Sequence, residues 1–111
     1  MDALKDLHCE PPETFPGPMD ATACTRAAEE LHEDWTLGLD SGRISRELRF
    51  ADYYQTMAFV NAVAWIAHQQ DHHPDLEVHF NRCVVQFSTH AVGGLSRNDF
   101  ICAARIDALF V

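Results

Sequence analysis

The chain has 111 residues, 47% of them hydrophobic, with 17 acidic side chains against 8 basic ones and a net charge of −9. That length holds one core and not two, and the apolar content excludes wholesale disorder. The negative balance, with Lys5 the only lysine, speaks against binding nucleic-acid phosphates or an anionic membrane surface.

Residues 1–18 contain Pro11, Pro12, Pro16 and Pro18 and few large apolar side chains, which predicts a flexible or extended arm ahead of a single domain over 19–111. Asp20 is placed to cap a helix over 21–32, buried through Cys24, Ala28 and Leu31. Trp35, Leu37 and Leu39 alternate with smaller residues, Asp40-Ser41-Gly42 marks a turn, and alternation resumes from Ile44 to Phe50, so a β-hairpin is expected. Residues 51–70 lack Gly and Pro and repeat Phe59, Val63 and Ile66 at helical spacing, with Ala62 and Ala67 on the same side. Pro74 ends this long helix and biases His73 toward extended dihedrals. Leu76, Val78 and Phe80, then Cys83, Val85 and Phe87, alternate as a second pair of strands. After Gly93-Gly94, Ser96 caps a last helix to about Leu109, with Asp99 in its first turn. The order α-β-β-α-β-β-α predicts an α+β fold, a four-stranded antiparallel sheet with helices packed on one face.

The four cysteines, Cys9, Cys24, Cys83 and Cys102, show no CxxC spacing and are expected as free thiols. No charged leader precedes an apolar stretch, and no run of about 18 apolar residues occurs, so a soluble, cytoplasmic protein with no membrane partner is expected.

The chemistry concentrates in Asp71-His72-His73-Pro74 and Ser88-Thr89-His90. Imidazole gives and takes protons near neutrality, and three of them beside turn residues suggest proton-transfer catalysis. His72 is expected in the last turn of the long helix, where backbone carbonyls favour a cation. His90 is expected on the strand face opposite Cys83, Val85 and Phe87 if the strand persists that far. Two plainer readings stand beside this one. His-His-Pro could be only a helix exit, and His68 with His72, four apart, could begin a metal site completed by His79 or His90. Against the second, Gln69 stands where a HExxH motif needs glutamate. His8 and His32 have no companions and read as surface residues; for His79 a supporting role is expected rather than a catalytic one.

The segment from Ala67 to Asp107 resembles the pterin-4a-carbinolamine dehydratase family, whose members are also known as a dimerization cofactor of a homeodomain transcription factor. The likeness rests on Asp71-His72-His73-Pro74, Val78-x-Phe80-Asn81, Ser88-Thr89-His90, Gly94-Leu95-Ser96, Asp99 and the Ala103-to-Asp107 helix. With Trp35, Phe50 and the long helix it spans roughly residues 20–110.

The resemblance implies loss of water from a 4a-hydroxytetrahydropterin to give quinonoid dihydropterin, in recycling of the pterin after aromatic amino-acid hydroxylation. By that analogy His72 and His90 are the proton-transfer pair and His73 chiefly binds the pterin. Pro74, Ser88 and Thr89 would line the pocket, with His68, Asp71 and Asp99 in support. The reduced pterin is the substrate, and neither a metal nor a redox cofactor is implied. A homodimer or homotetramer and a functional link to an aromatic amino-acid hydroxylase follow in the same way. The alternative is an oligomeric protein-binding module, a partner of the transcriptional-coactivator kind. One departure stands out: many members carry glutamate where this chain has His68, which bears on the pH optimum and not on the fold.

Overall fold

In the computed structural model, which describes residues 2–110, two hairpins supply the sheet. Strand β1 (Thr36–Gly38) pairs with β2 (Arg43–Arg49), and β3 (Asp75–Val78) with β4 (Arg82–Phe87). The hairpins join through β2 and β4, so the antiparallel sheet runs β1-β2-β4-β3. Helices α1 (Ala21–Ala28), α2 (Tyr53–Gln70) and α3 (Arg97–Asp107) complete the α-β-β-α-β-β-α order expected from the sequence. Helix α1 is shorter than expected, and Leu31 reaches the core from beyond its end.

The ladder sets Ile44 opposite Phe87 and Leu48 opposite Cys83, and with Val85 these alternate positions turn inward. They share one core with Phe59, Val63 and Ile66 of α2 and Phe100, Ile101 and Ile106 of α3. Each large aliphatic or aromatic side chain removed from water there contributes about 1.5–3 kcal/mol. The intervening Ser45, Glu47, Val84 and Gln86 are half-buried or exposed, the period-2 split of a one-sided sheet.

Helix α2 starts where Asp52 accepts the Gln55 N–H at 2.8 Å and stops at Asp71, whose φ of 50° is left-handed. The His72 N–H then closes back on the Ala67 carbonyl at 3.2 Å. A left-handed non-glycine residue costs about 1–2 kcal/mol, tolerated best by Asp and Asn. His72 therefore lies past the helix and not in its last turn, a correction to the sequence-based expectation.

The proline-rich arm is extended, with single 3-10 turns at Leu4–Asp6 and Pro12–Thr14; it lies as a strap, the first turn against α3 and the second against the turn at His90–Val92. Leu4 is buried in the core. Arg105 donates from Nε to the Leu7 carbonyl at 3.1 Å. Asn98 accepts the Glu10 N–H at 3.0 Å and donates to the Glu10 carbonyl at 2.7 Å. The Cys9 N–H reaches the Gln70 side-chain carbonyl at 2.8 Å. Most of these partners on the arm are backbone groups, which a side-chain pattern does not announce.

Candidate active site

The site is built around Asp99. Ser96 caps α3, and three residues later Asp99 closes a capping box with it, Oδ2 accepting the Ser96 N–H at 2.9 Å. The same oxygen accepts the Thr89 hydroxyl at 2.8 Å, and Thr89 lies 2.7 Å from the Ser96 hydroxyl. The other carboxylate oxygen, Oδ1, meets His72 Nε2 at 2.6 Å. Asp99 is 0% exposed and His72 8%, so both groups have left water and rely on these partners. One carboxylate thus ties the exit of α2, the end of β4 and the start of α3.

A carboxylate only accepts, so the proton between the two sits on His72 Nε2. That leaves Nδ1 as the nitrogen free to exchange a proton with another molecule. The ring lies nearly parallel to Phe87, centroids 5.8 Å apart and planes at 11°, which fixes its tilt as well as its tautomer. This is the arrangement of a base held by an orienting acid.

His73 and His90 are both exposed. Each is the chain neighbour of a residue bound to Asp99, His73 of His72 and His90 of Thr89. His90 differs from the expected strand position. Strand β4 ends at Phe87, Thr89 bridges to Gly94, and His90 opens a 3-10 turn over His90–Val92. The Thr89 N–H to Gly94 carbonyl bond of 2.8 Å closes that loop. Gly42, at φ 69°, backs it so closely that a Cβ there would come within 3.0 Å of the Gly94 Cα.

The remaining expected residues separate into two groups. Pro74, half-buried, and Ser88, exposed, flank the histidines in the chain, and Asp71 forms the left-handed cap before them. His68 stays on α2, exposed, its ring stacked on Trp65 at 5.7 Å. The turn at Asp71 thus breaks the helical face that His68 and His72 would have shared. His79 sits at the β3–β4 turn beside Glu77, and His32, also exposed, lies at the opposite end of α3 from Asp99, its N–H on Asp107. His8 is exposed on the strap. Among the described residues no group of three or more His, Cys, Asp or Glu side chains is arranged to hold a metal ion.

Phe87 and the Thr89–Ser96 hydroxyl contact were not singled out from the sequence as parts of the site. The S-x-x-D cap was visible; that its carboxylate also faces an imidazole was not. A cavity of ≈ 950 Å³ lies away from His72, His73 and His90, along the edge of β2 beyond the end of β1, with Arg46, Phe50, Asp107 and Phe110 in its lining.

An α+β domain that seats an imidazole on a buried carboxylate, with two further exposed imidazoles next in the chain to residues bound to that carboxylate, is a scaffold suited to proton transfer. The profile of the family described as Pterin 4 alpha carbinolamine dehydratase matches residues 17–109. A protein of Nitrosomonas eutropha, provisionally named a pterin-4-alpha-carbinolamine dehydratase, is 50% identical over 108 residues, covering 97% of this chain and 94% of its own. A solved structure from Brucella melitensis, described as a transcriptional coactivator/pterin dehydratase, superposes with a TM-score of 0.78 at 25% identity, over 84% of this chain and 98% of that one. A pterin dehydratase-like protein described as a RuBisCO assembly factor in the alpha-carboxysome shares the fold, with a TM-score of 0.60 at 24% identity, over 70% of this chain and 90% of its own. The chain belongs to the pterin-4-alpha-carbinolamine dehydratase family. No helix among the described residues is long and apolar enough to cross a membrane.

Proposed function

We propose that this chain dehydrates a 4a-hydroxytetrahydropterin to the quinonoid dihydropterin, with His72 and His90 as its proton-transfer pair and His73 against the pterin ring. The observation that carries the reading is the 2.6 Å contact of His72 with fully buried Asp99. The reaction breaks the C4a–O bond and removes the proton on N5. One ring nitrogen must protonate the departing hydroxyl while another accepts the N5 proton, and the released water carries the first away. No electron leaves the substrate, so the chemistry is general acid–base work, typically worth about 10²–10⁴ in rate. Asp99 contributes by fixing the tautomer and direction of His72 before substrate arrives. Pterin recycling after aromatic hydroxylation is the setting in which such a substrate arises.

Stopped-flow dehydration of a synthetic 4a-hydroxytetrahydropterin tests this. His72→Ala and His90→Ala should each lower turnover by about 10²–10⁴ while circular dichroism shows a folded chain. Turnover near wild type in both would overturn the assignment.

The binding reading has its support in the Brucella structure, whose description couples coactivator with dehydratase. Self-association belongs to the same proposal. Strand β3 lies at the sheet edge, and Val78 (40%) and Phe80 (65%) are exposed at its end. Sedimentation should give a mass of two or four chains, shifted toward one by Val78→Lys; a monomer at all concentrations would refute it.

A further inference from the structure

Two thiols that the dehydration does not use face each other under the strap. Cys9 Sγ lies 3.6 Å from Cys102 Sγ, across 93 residues of sequence. Cys9 is half-buried on the strap, and Cys102 is fully buried on α3. The other two cysteines, Cys24 and Cys83, are buried, and burial pushes both thiols up.

We infer that Cys9 and Cys102 form a redox modification site, at which a hydroperoxide closes a disulfide that seals the strap onto α3.

The two thiols are chemically unequal in a way that sets the order of events. The hydrogen bond with Cys102 holds the Cys9 thiol below its ordinary value against the effect of burial, and the Arg105 guanidinium acts in the same direction. The same contact and deep burial push Cys102 up. Cys9 is therefore the nucleophile, since the thiolate is the reactive form. Its sulfur attacks the peroxide O–O bond, giving the Cys9 sulfenic acid and releasing water (an alcohol from an alkyl hydroperoxide). The Cys102 sulfur then displaces the hydroxyl of that acid as a second water, the thiol proton leaving with it. Two thiols are oxidised by two electrons, and one peroxide bond is reduced.

Closing the bond requires the sulfurs to approach by about 1.5 Å from their 3.6 Å contact. The strap can supply that movement more readily than α3, because an extended segment has no helical ladder to deform. The neighbouring ties run to the active-site segments: Cys9 N–H to Gln70, two residues before His72, and Glu10 to Asn98, beside Asp99. The site stands independently of the dehydratase reading, since it requires only the two thiols and an oxidant.

The experiment treats the native full-length chain with dilute hydrogen peroxide, alkylates the remaining thiols and maps peptides by mass spectrometry. The four free thiols should fall to two, with a single cross-linked pair, Cys9 to Cys102, reversed by dithiothreitol. Cys102→Ser should lose the cross-link and accumulate a Cys9 sulfenic acid that dimedone traps, while Cys24 and Cys83 stay unmodified in both proteins. Retention of four thiols in the native wild type, or their loss through Cys24, Cys83 or links between chains, would overturn the inference.

Discussion

Helix α3 carries a buried or half-buried aspartate at each end, and the two are used differently. At the C-terminal end Asp107 accepts Arg46 at 2.6 Å and Trp35 Nε1–H at 2.8 Å on Oδ1, and the His32 N–H at 2.8 Å on Oδ2. At the N-terminal end Asp99 accepts His72 on one oxygen and Thr89 and the Ser96 N–H on the other. Each carboxylate gathers three donors, Asp107 from the loop before β1 and from β2, Asp99 from the segments after α2 and β4 and from its own helix cap, so both fasten the sheet and loops to the helix. They differ in the partner. The Arg46 guanidinium offers only N–H donors and has no nitrogen that accepts. The His72 imidazole bonds Asp99 through Nε2 and has a second ring nitrogen, Nδ1, outside that bond. The same fastening becomes a chemical device only where the donor is titratable. The proposed proton-transfer site therefore lies at the N-terminal end of α3, away from the ≈ 950 Å³ cavity beside Asp107.

The sharpest way to break the comparison is to change one atom type at both ends. In Asp99→Asn the amide oxygen can still take the Thr89 and Ser96 bonds, but the NH₂ then faces His72. The imidazole must turn Nε2 into an acceptor and carry its proton on Nδ1, the wrong tautomer for a base. Turnover should fall by about 10²–10⁴, with a stability loss of about 1–3 kcal/mol for the missing charge-assisted bond. Asp107→Asn should cost stability of the same order and leave turnover within a few-fold of wild type. Stopped-flow dehydration and urea melts measure both quantities. Equal losses of turnover in the two variants would mean that Asp99 serves only the fold.

Much of this geometry was legible in the sequence because it is local. Asp20, Asp52 and Ser96 precede helical periodicity, Asp99 follows Ser96 by three, and the alternating runs around Ile44 and Val85 set both hairpins. What was not legible depends on turns of unusual hand or on backbone partners. Nothing about Asp71 announces a left-handed residue as glycine would, so His72 was expected one turn too early, on the face of His68. The end of β4 at Phe87 is set by the Thr89–Gly94 bridge, a pairing between loop residues, and that moved His90 from a strand face to a 3-10 turn. The strap was unreadable for the same reason: Asn98 and Gln70 bind its backbone, and Pro11, Pro12, Pro16 and Pro18 pointed only to a flexible or extended arm.

The smallest predicted effect concerns that left-handed turn, and it separates positioning from stability. Asp71 holds φ 50° while its N–H and that of His72 close the end of α2. Glycine occupies this region without the Cβ clash, but it also has more freedom to lose on folding. The relief of about 1–2 kcal/mol should exceed that entropic cost, so Asp71→Gly should raise stability by roughly 0.5–1 kcal/mol in urea titration. If Asp71 only shapes the turn, turnover should stay near wild type, because His72 remains seated on Asp99. If its exposed carboxylate also touches the pterin, KM for the 4a-hydroxytetrahydropterin should rise while the stability gain persists. A loss of stability in Asp71→Gly would show that the aspartate side chain itself holds the turn, and that the seat of His72 begins one residue earlier than its bond to Asp99.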